Sequence, residues 1–298
     1  LYVNPYVRIT PLKGLTIESR LNGSLGFSRS NSFVGQGSFQ YVRAGGNWET
    51  DTSATVNKNE TYNYKWENII TYNFQIADDH DFTITGVTSY NHNQSDNASM
   101  TGTGIKNNKT LWYDLANAVT SNNSTSYTMS KGMAYIGRLN YSYKGRYLFS
   151  ASIRHDGSSR LAKDYRWDTF PAVSAGWRIS DEAFMENTKD WMDNLKLRVG
   201  YGETGTASID PYSSVSSLEQ TMITIGDQLI QPTYNFTQTV ANKSLGWERS
   251  KSWNFGVDAS FFGGRIDLTM DYYNTKTEGV IWKKNLPIIN GGYAYNKP

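Results

Sequence analysis

The chain has 298 residues, 38% of them hydrophobic and 14% aromatic, with no cysteine and a formal net charge of +2 from 29 basic and 27 acidic residues. Charge of both signs is spread along the chain, so there is no basic stripe for nucleic acid, and the missing cysteine removes disulfide frameworks and thiolate metal sites. No apolar run approaches the roughly 20 residues of a transmembrane helix, a test that leaves a membrane β-barrel open because its polar interior face and loops dilute the hydropathy.

The chain opens on Leu1-Tyr2-Val3-Asn4-Pro5, without a start methionine or a leader pattern, and closes mid-pattern on Gly291-Gly292-Tyr293-Ala294-Tyr295-Asn296-Lys297-Pro298. Both ends are expected to lie inside a longer protein. A short turn is predicted near Pro11-Leu12-Lys13. Beyond it Leu15, Ile17, Leu21, Leu25 and Phe27 oppose Thr16, Glu18, Arg20, Asn22 and Ser24, the period-two pattern of a strand. A polar connection follows over 28–61, then a turn at Asp78-Asp79-His80 and a second polar connection over 94–131.

From Tyr135 the pattern is at its clearest. Tyr147, Phe149, Ala151 and Ile153 alternate with Ser150, Ser152, Arg154 and Asp156, and Lys144-Gly145 reads as a two-residue hairpin turn. After a connection over 157–165 and the strand pattern ending at Ser180, the segment from Asp181 to Asn194 has room for one helical turn. Leu195, Leu197, Val199 and Tyr201 then oppose Lys196, Arg198 and Gly200. A long connection covers 205–246. Trp253, Phe255, Val257, Ala259 and Phe261 next face away from Asn254, Gly256, Asp258 and Ser260. Gly263-Gly264 reads as a second two-residue turn, and Ile266, Leu268, Met270 and Tyr272 alternate with Asp267, Thr269 and Asp271.

About ten strands are therefore expected, joined alternately by short turns and long polar connections. Alternation alone suits a soluble sandwich as well as a membrane barrel. Several runs reach the ~9–11 residues a tilted strand needs to cross a bilayer, and aromatics such as Tyr141, Tyr143, Tyr147, Phe261 and Phe262 crowd strand ends as an interfacial girdle would. The expected class is all-β, a transmembrane antiparallel up-and-down barrel, with residues 1–298 a part of one barrel domain. An outer-membrane barrel enzyme and a soluble carbohydrate-binding or structural β protein are the rival readings.

Several ordered motifs resemble the SusC/RagA family of TonB-dependent transporters. They are Gly137-Arg138-Leu139-Asn140-Tyr141, Ile153-Arg154-His155-Asp156-Gly157-Ser158-Ser159-Arg160, Phe170-Pro171-Ala172-Val173-Ser174-Ala175-Gly176-Trp177, Leu195-Lys196-Leu197-Arg198-Val199-Gly200-Tyr201-Gly202, and Leu245-Gly246-Trp247-Glu248-Arg249 with Asp271-Tyr272-Tyr273. The match covers 130–290 closely and earlier residues mainly in strand rhythm. The resemblance implies a fragment of about ten strands from a 22-stranded barrel in the bacterial outer membrane. It further implies import of oligosaccharides or peptides, energy from TonB, and a SusD-type surface lipoprotein as lid. By the same resemblance the plug domain and the TonB contact lie outside this chain.

No catalytic, metal or cofactor motif is present: His80, His92 and His155 share no ligand spacing, and no G-x-S-x-G, phosphate loop or G-x-G-x-x-G occurs. The acidic turn Asp78-Asp79-His80-Asp81 lacks the staggered ligands of a calcium loop and reads as a solvated hairpin end. Candidate substrate contacts are Arg138, Arg154, Asp156, Arg160 and Arg198 on or near the polar face, where a charge ladder between strands is the plainer role. Trp48, Trp112, Tyr113 and Trp167, in or beside the long connections, are candidates for stacking on sugar rings, with loop packing or lid contact as the alternative.

Overall fold

Alternation becomes strand over most of the chain. The computed structural model describes residues 1–215, 218–236, 241–285 and 294–297. In chain order the strands are β1 (Tyr2–Val3), β2 (Tyr6–Leu12), β3 (Leu15–Val34), β4 (Ser53–Ile76), β5 (His80–Thr103), β6 (Thr120–Tyr143), β7 (Tyr147–Ser158), β8 (Trp167–Arg178) and β9 (Met192–Thr206). They continue as β10 (Leu218–Ile225), β11 (Gln228–Phe236), β12 (Glu248–Phe261), β13 (Ile266–Glu278), β14 (Trp282–Asn285) and β15 (Ala294–Lys297). Eleven of them form one sheet in the order β1-β3-β4-β5-β6-β7-β8-β9-β12-β13, with β2 also on β3; β10-β11 and β14-β15 are separate two-stranded ribbons. The strand pairs β1-β3, β2-β3, β6-β7, β7-β8, β8-β9, β9-β12 and β12-β13 are antiparallel, as a meander requires. Part of the closing segment, 286–293 and 298, lies outside the described residues, as do 216–217 and 237–240 of the connection expected over 205–246.

The chain divides into two compact units. The first comprises Leu1–Pro5, Leu21–Lys65 and Asn91–Ser130. It holds the polar parts of β3 to β6, and here the expected connections 28–61 and 94–131 are too long. Strand continues into both, leaving loops of only 35–52 and 104–119. The reason is a ladder of short polar side chains that bond across strands: Ser99 Oγ donates to Asn57 at 2.6 Å, the Thr55 and Thr101 hydroxyls lie 3.1 Å apart, and Asn97 donates to Ser126 at 3.3 Å. Such Asn/Ser/Thr sequence lacks apolar alternation and so reads as loop. The loop 35–52 carries two short helices, α1 (Phe39–Ala44) capped by Ser38 and α2 (Trp48–Asp51) capped by Asn47. It is tied down by Thr52, fully buried, whose hydroxyl donates to the Trp48 carbonyl at 2.6 Å and accepts from the Ile105 N–H at 2.7 Å.

The second unit comprises Tyr6–Arg20, Trp66–Tyr90 and Lys131–Pro298. Its sheet has two unlike faces. Phe149, Ile153, Val173, Leu197, Val199, Phe255, Met270 and Tyr272 stand on one, all exposed, Ile153 at 55% and Met270 at 60%. A soluble sandwich would bury that face against a second sheet, whereas an apolar surface of this extent calls for lipid or a partner. Two aromatic bands bound it. At the short-turn end ring contacts run from Phe74 through Phe82, Tyr141 and His80 to Tyr143, Tyr147 and Trp177, with centroids 4.7–6.3 Å apart. At the other end Trp167 stacks on His155 and Tyr135, and Tyr201 meets Trp253. On β8 the ten residue steps between Trp167 and Trp177 span ~33 Å of strand, or ~25 Å along the normal at a tilt near 40°, the height of the apolar band of an outer-membrane barrel. Among the described residues no helix is long and apolar enough to cross a membrane.

The short turns differ from expectation in length. The first falls at Lys13–Gly14, two residues later than Pro11, which is still strand. Lys144 and Gly145 do take positive φ (53° and 66°), yet pairing resumes only at Tyr143 opposite Tyr147. Arg146 is left as an extra residue whose carbonyl accepts from the Arg178 N–H at 2.9 Å. The turn at Gly263-Gly264 is four residues long, between Phe261 and Ile266, because the Asp193 carboxylate accepts from both glycine N–H groups at 2.8 and 3.1 Å. The connection 179–191 carries 3₁₀ turns at Ile179–Asp181 and Ala183–Thr188, in keeping with the helical turn expected there.

Candidate functional site

Antiparallel register decides which polar side chains meet. Arg198 on β9 lies opposite Gly256 on β12, and Gly256 lies opposite Asp271 on β13. With no side chain between them, Arg198 spans β12: it donates to Asp258 through Nε at 2.7 Å and Nη2 at 2.9 Å, and pairs with Asp271 at 3.2 Å. A Cβ on Gly256 would sit 2.6 Å from the guanidinium carbon. At the other side of the second unit Glu18, 5% exposed, accepts from Arg8 Nε and Arg20 Nε, both at 2.7 Å. These ion pairs satisfy charges across strands.

Arg154 donates to Asp156 at 2.5 Å along β7, and Asp156, 8% exposed, keeps its Oδ1 buried without a hydrogen bond among the described residues. Arg138 lies on the adjacent β6 opposite Ser152, exposed and without an ion pair among the described residues. Asp156 lies opposite Asp168 on β8. Asp168 is neutralised from the far side by Arg249 at 2.6 Å, which also reaches Glu203 at 2.7 Å and covers the Phe170 ring at 5.4 Å.

Phe170 belongs to a small core that the sequence did not announce. Leu161, Ala162, Phe170 and Leu245 are buried, with Trp247 edge-on to Phe170 at 5.5 Å. The Ala162 N–H donates to the Leu245 carbonyl at 3.0 Å and the Trp247 indole to the Arg166 carbonyl at 3.0 Å. The connections after β7 and before β12 are thereby braced together. The only sequence signal is two isolated leucines in polar segments.

The aromatic candidates separate. Trp48 opens α2 half-buried, with the Lys106 ammonium 5.5 Å over its ring. Trp112 and Tyr113 lie together at 5.5 Å in the loop 104–119, Tyr113 largely exposed. Trp167 is the first residue of β8, on the apolar face, stacked at 5.0 Å on His155. Arg160 has left the strand; its N–H donates to Ser158 Oγ at 3.3 Å. The histidines are engaged in ring contacts, His80 with Tyr141 and Tyr143, His92 with Tyr64 and His155 with Trp167. Among the described residues no three His, Asp or Glu side chains are grouped to hold a metal.

At the short-turn end Glu182 gathers three donors' worth of chemistry. Trp177 Nε1 donates to it at 3.0 Å and Arg146 lies 3.5 Å away. The Tyr147 hydroxyl first, then the Trp177 indole, hold its carboxyl below the usual glutamate range.

The family described as TonB dependent receptor-like, beta-barrel matches residues 7–296. TonB-dependent receptor P26 of Formosa agariphila is 30% identical over 290 residues, 96% of this chain and 28% of that receptor. TonB-dependent receptor SusC of Bacteroides thetaiotaomicron is 38% identical over 171 residues, 55% of this chain and 17% of SusC. The solved structure of the RagAB peptide transporter has the same fold, with a TM-score of 0.87 at 22% identity over 99% of this chain and 32% of that one. The chain thus spans about a third or less of the length of each of these relatives.

Proposed function

The chain belongs to the TonB dependent receptor-like, beta-barrel family, an outer-membrane family of receptors and transporters, and on that premise we propose that it forms wall and loops of an active importer. The cargo is an oligosaccharide or a peptide, energy comes through TonB, and a SusD-type lipoprotein covers the outer mouth. The observation that carries this reading is the sheet itself: an exposed apolar face about 25 Å tall between two aromatic bands, backed by a face of paired charges. Likeness to SusC and to the RagAB transporter supports the SusC/RagA branch.

In this reading the long connections face outward and the short turns face the periplasm. Arg138, with no ion pair among the described residues, and the exposed Arg154, held by the buried Asp156, are the polar-face groups most available to cargo. Trp48, Trp112 and Tyr113 favour an oligosaccharide, because an indole or phenol face stacks on sugar C–H groups. Trp167, between His155 and Tyr135 on the apolar face, is assigned instead to the membrane interface. No residue here is given a role in coupling to TonB.

The test is detergent extraction of the full-length native receptor followed by mass spectrometry of what accompanies it, with cargo uptake measured in cells with and without TonB. A lipoprotein in roughly equal amount and TonB-dependent uptake are expected. A receptor that needs no detergent, or uptake indifferent to TonB, would overturn the reading.

A further inference from the structure

The apolar face of the second unit is not flat. It carries a hollow of about 990 Å³ whose lining coincides with three successive cross-strand rows of the sheet. One wall is Tyr147, Trp177, Leu197, Val257 and Met270, neighbours in register from β7 across β8, β9 and β12 to β13. The other, two residues along each strand, is Phe149, Ala175, Val199, Phe255 and Tyr272. Between them the floor is the backbone of Leu148, Gly176, Arg198, Gly256 and Asp271. Alternation turns the side chains of that middle row to the polar face, where Arg198 meets Asp271.

The hollow is therefore a groove that runs across the strands. Five strands ~4.8 Å apart make it roughly 19 Å long, and two residue steps set its walls ~7 Å apart. A helix, ~10 Å or more across with its side chains, is too wide for it. A peptide strand would bring backbone groups that an apolar groove leaves unbonded. The two polar tips at its edge, the Tyr147 hydroxyl and the Trp177 indole N–H, are already engaged by Glu182. What remains is a thin, flexible, wholly apolar occupant. The walls are stiffened by stacking, Tyr147 on Trp177 and Trp253 on Phe255, each at 6.3 Å. Lipid around the face is itself apolar, so transfer from water contributes nothing here. A hydrocarbon chain in the groove instead gains dispersion contacts on three sides, against one on a flat wall.

We infer that this groove is a lipid site: it holds one acyl chain of a phospholipid from the periplasm-facing leaflet, laid across the strands and exchanging more slowly than the lipid around it. With strands tilted near 40° the chain is inclined rather than upright. Tyr147 and Trp177 belong to the aromatic band at the short-turn end, so the groove opens beside the headgroups of that leaflet. The choice of leaflet rests on the transport reading, which turns the short turns to the periplasm. Ala175 is the smallest side chain in either wall and leaves the second wall low between Phe149 and Val199.

The experiment is native mass spectrometry of the full-length receptor, stripped of lipid by extended detergent washing and titrated with phosphatidylethanolamine. One adduct should form ahead of the rest and survive collisional activation that removes the others. Ala175→Trp, which puts an indole into the gap, and Phe255→Ala, which takes down a wall, should both lose it. Ile153→Trp, an equally bulky change on the same face but two rows beyond the groove, should keep it. That control, with the heat-modifiable band as a check on folding, separates loss of the site from loss of the barrel. Adducts that form with no order, a first adduct that survives Ala175→Trp and Phe255→Ala, or one lost equally in Ile153→Trp would each overturn the site. Rough lipopolysaccharide taking the place of the phospholipid would overturn the leaflet. Uptake in cells keeps the two proposals apart. TonB-dependent uptake with no ordered adduct removes the lipid site and keeps the importer; an ordered adduct without TonB-dependent uptake does the reverse.

Discussion

Gly256 shows how a single residue type is required by its neighbours across two strands. The Arg198 guanidinium occupies the space its side chain would take, so Gly256→Ala should push Arg198 off Asp271. Because Arg198 is about a third exposed, the loss should be modest, about 1 kcal/mol, read by denaturant unfolding of the detergent-solubilised receptor. An unchanged midpoint would mean that the ion pairs are screened to nothing. On the opposite face the cost is larger. Ile153 lies near the middle of the apolar band, between the levels of Tyr147 and Trp167. Ile153→Arg should destabilise the barrel by about 2–4 kcal/mol, whereas Ser152→Arg, one step along and on the polar face, should be tolerated far better. Equal effects of the two would remove the assignment of faces.

Among the elements, loops are held by a few buried bonds and turns by side chains that cap them. Thr52 ties the loop 35–52 to Ile105, and Thr52→Val keeps its shape while leaving the Ile105 N–H unpaired. That should cost about 1–3 kcal/mol locally and appear as faster hydrogen exchange at Ile105 and neighbouring amides, with slower exchange elsewhere unaffected. The turn clamp at Glu182 has a pH signature. A carboxyl whose pKa falls on folding stabilises the folded state above its unfolded pKa and loses that contribution as the pH drops through its lowered folded value. Thermal unfolding should therefore hold steady from neutral pH down to the usual glutamate range and then decline. Glu182→Gln should lower the melting temperature at pH 7 and shrink the acid decline; an acid limb of unchanged depth in that variant would assign it to other carboxyls.

For the whole molecule, the strand order ends on β13, which has β12 as its one partner among the described residues, and the apolar face is open to its surroundings. Unpaired backbone groups in hydrocarbon cost several kcal/mol each. Residues 1–298 produced by themselves should consequently fail to give the heat-modifiable, detergent-stable band that the full-length receptor gives on electrophoresis. A stable inserted species from 1–298 alone would show that these strands close without further neighbours.

The sequence alone makes legible the main strands of the second unit from β7 to β9, with β12 and β13, and their two faces; the β10-β11 ribbon, inside the connection expected over 205–246, reads as loop. In β7, β9, β12 and β13 apolar and polar residues alternate at a period of two, and a one-residue slip would put Arg154 or Arg198 into lipid, so pattern and register coincide. The ends of β3 to β6 were not legible, because strand held by Asn, Ser and Thr pairs across the ladder has no apolar alternation to betray it. Nor were the partners of the candidate residues. Arg198 with Asp258, Arg249 with Asp168, and Thr52 with Ile105 join positions 53 to 81 residues apart. Only tertiary structure decides such meetings, since a residue's periodicity tells which face it occupies but not which distant side chain shares that space.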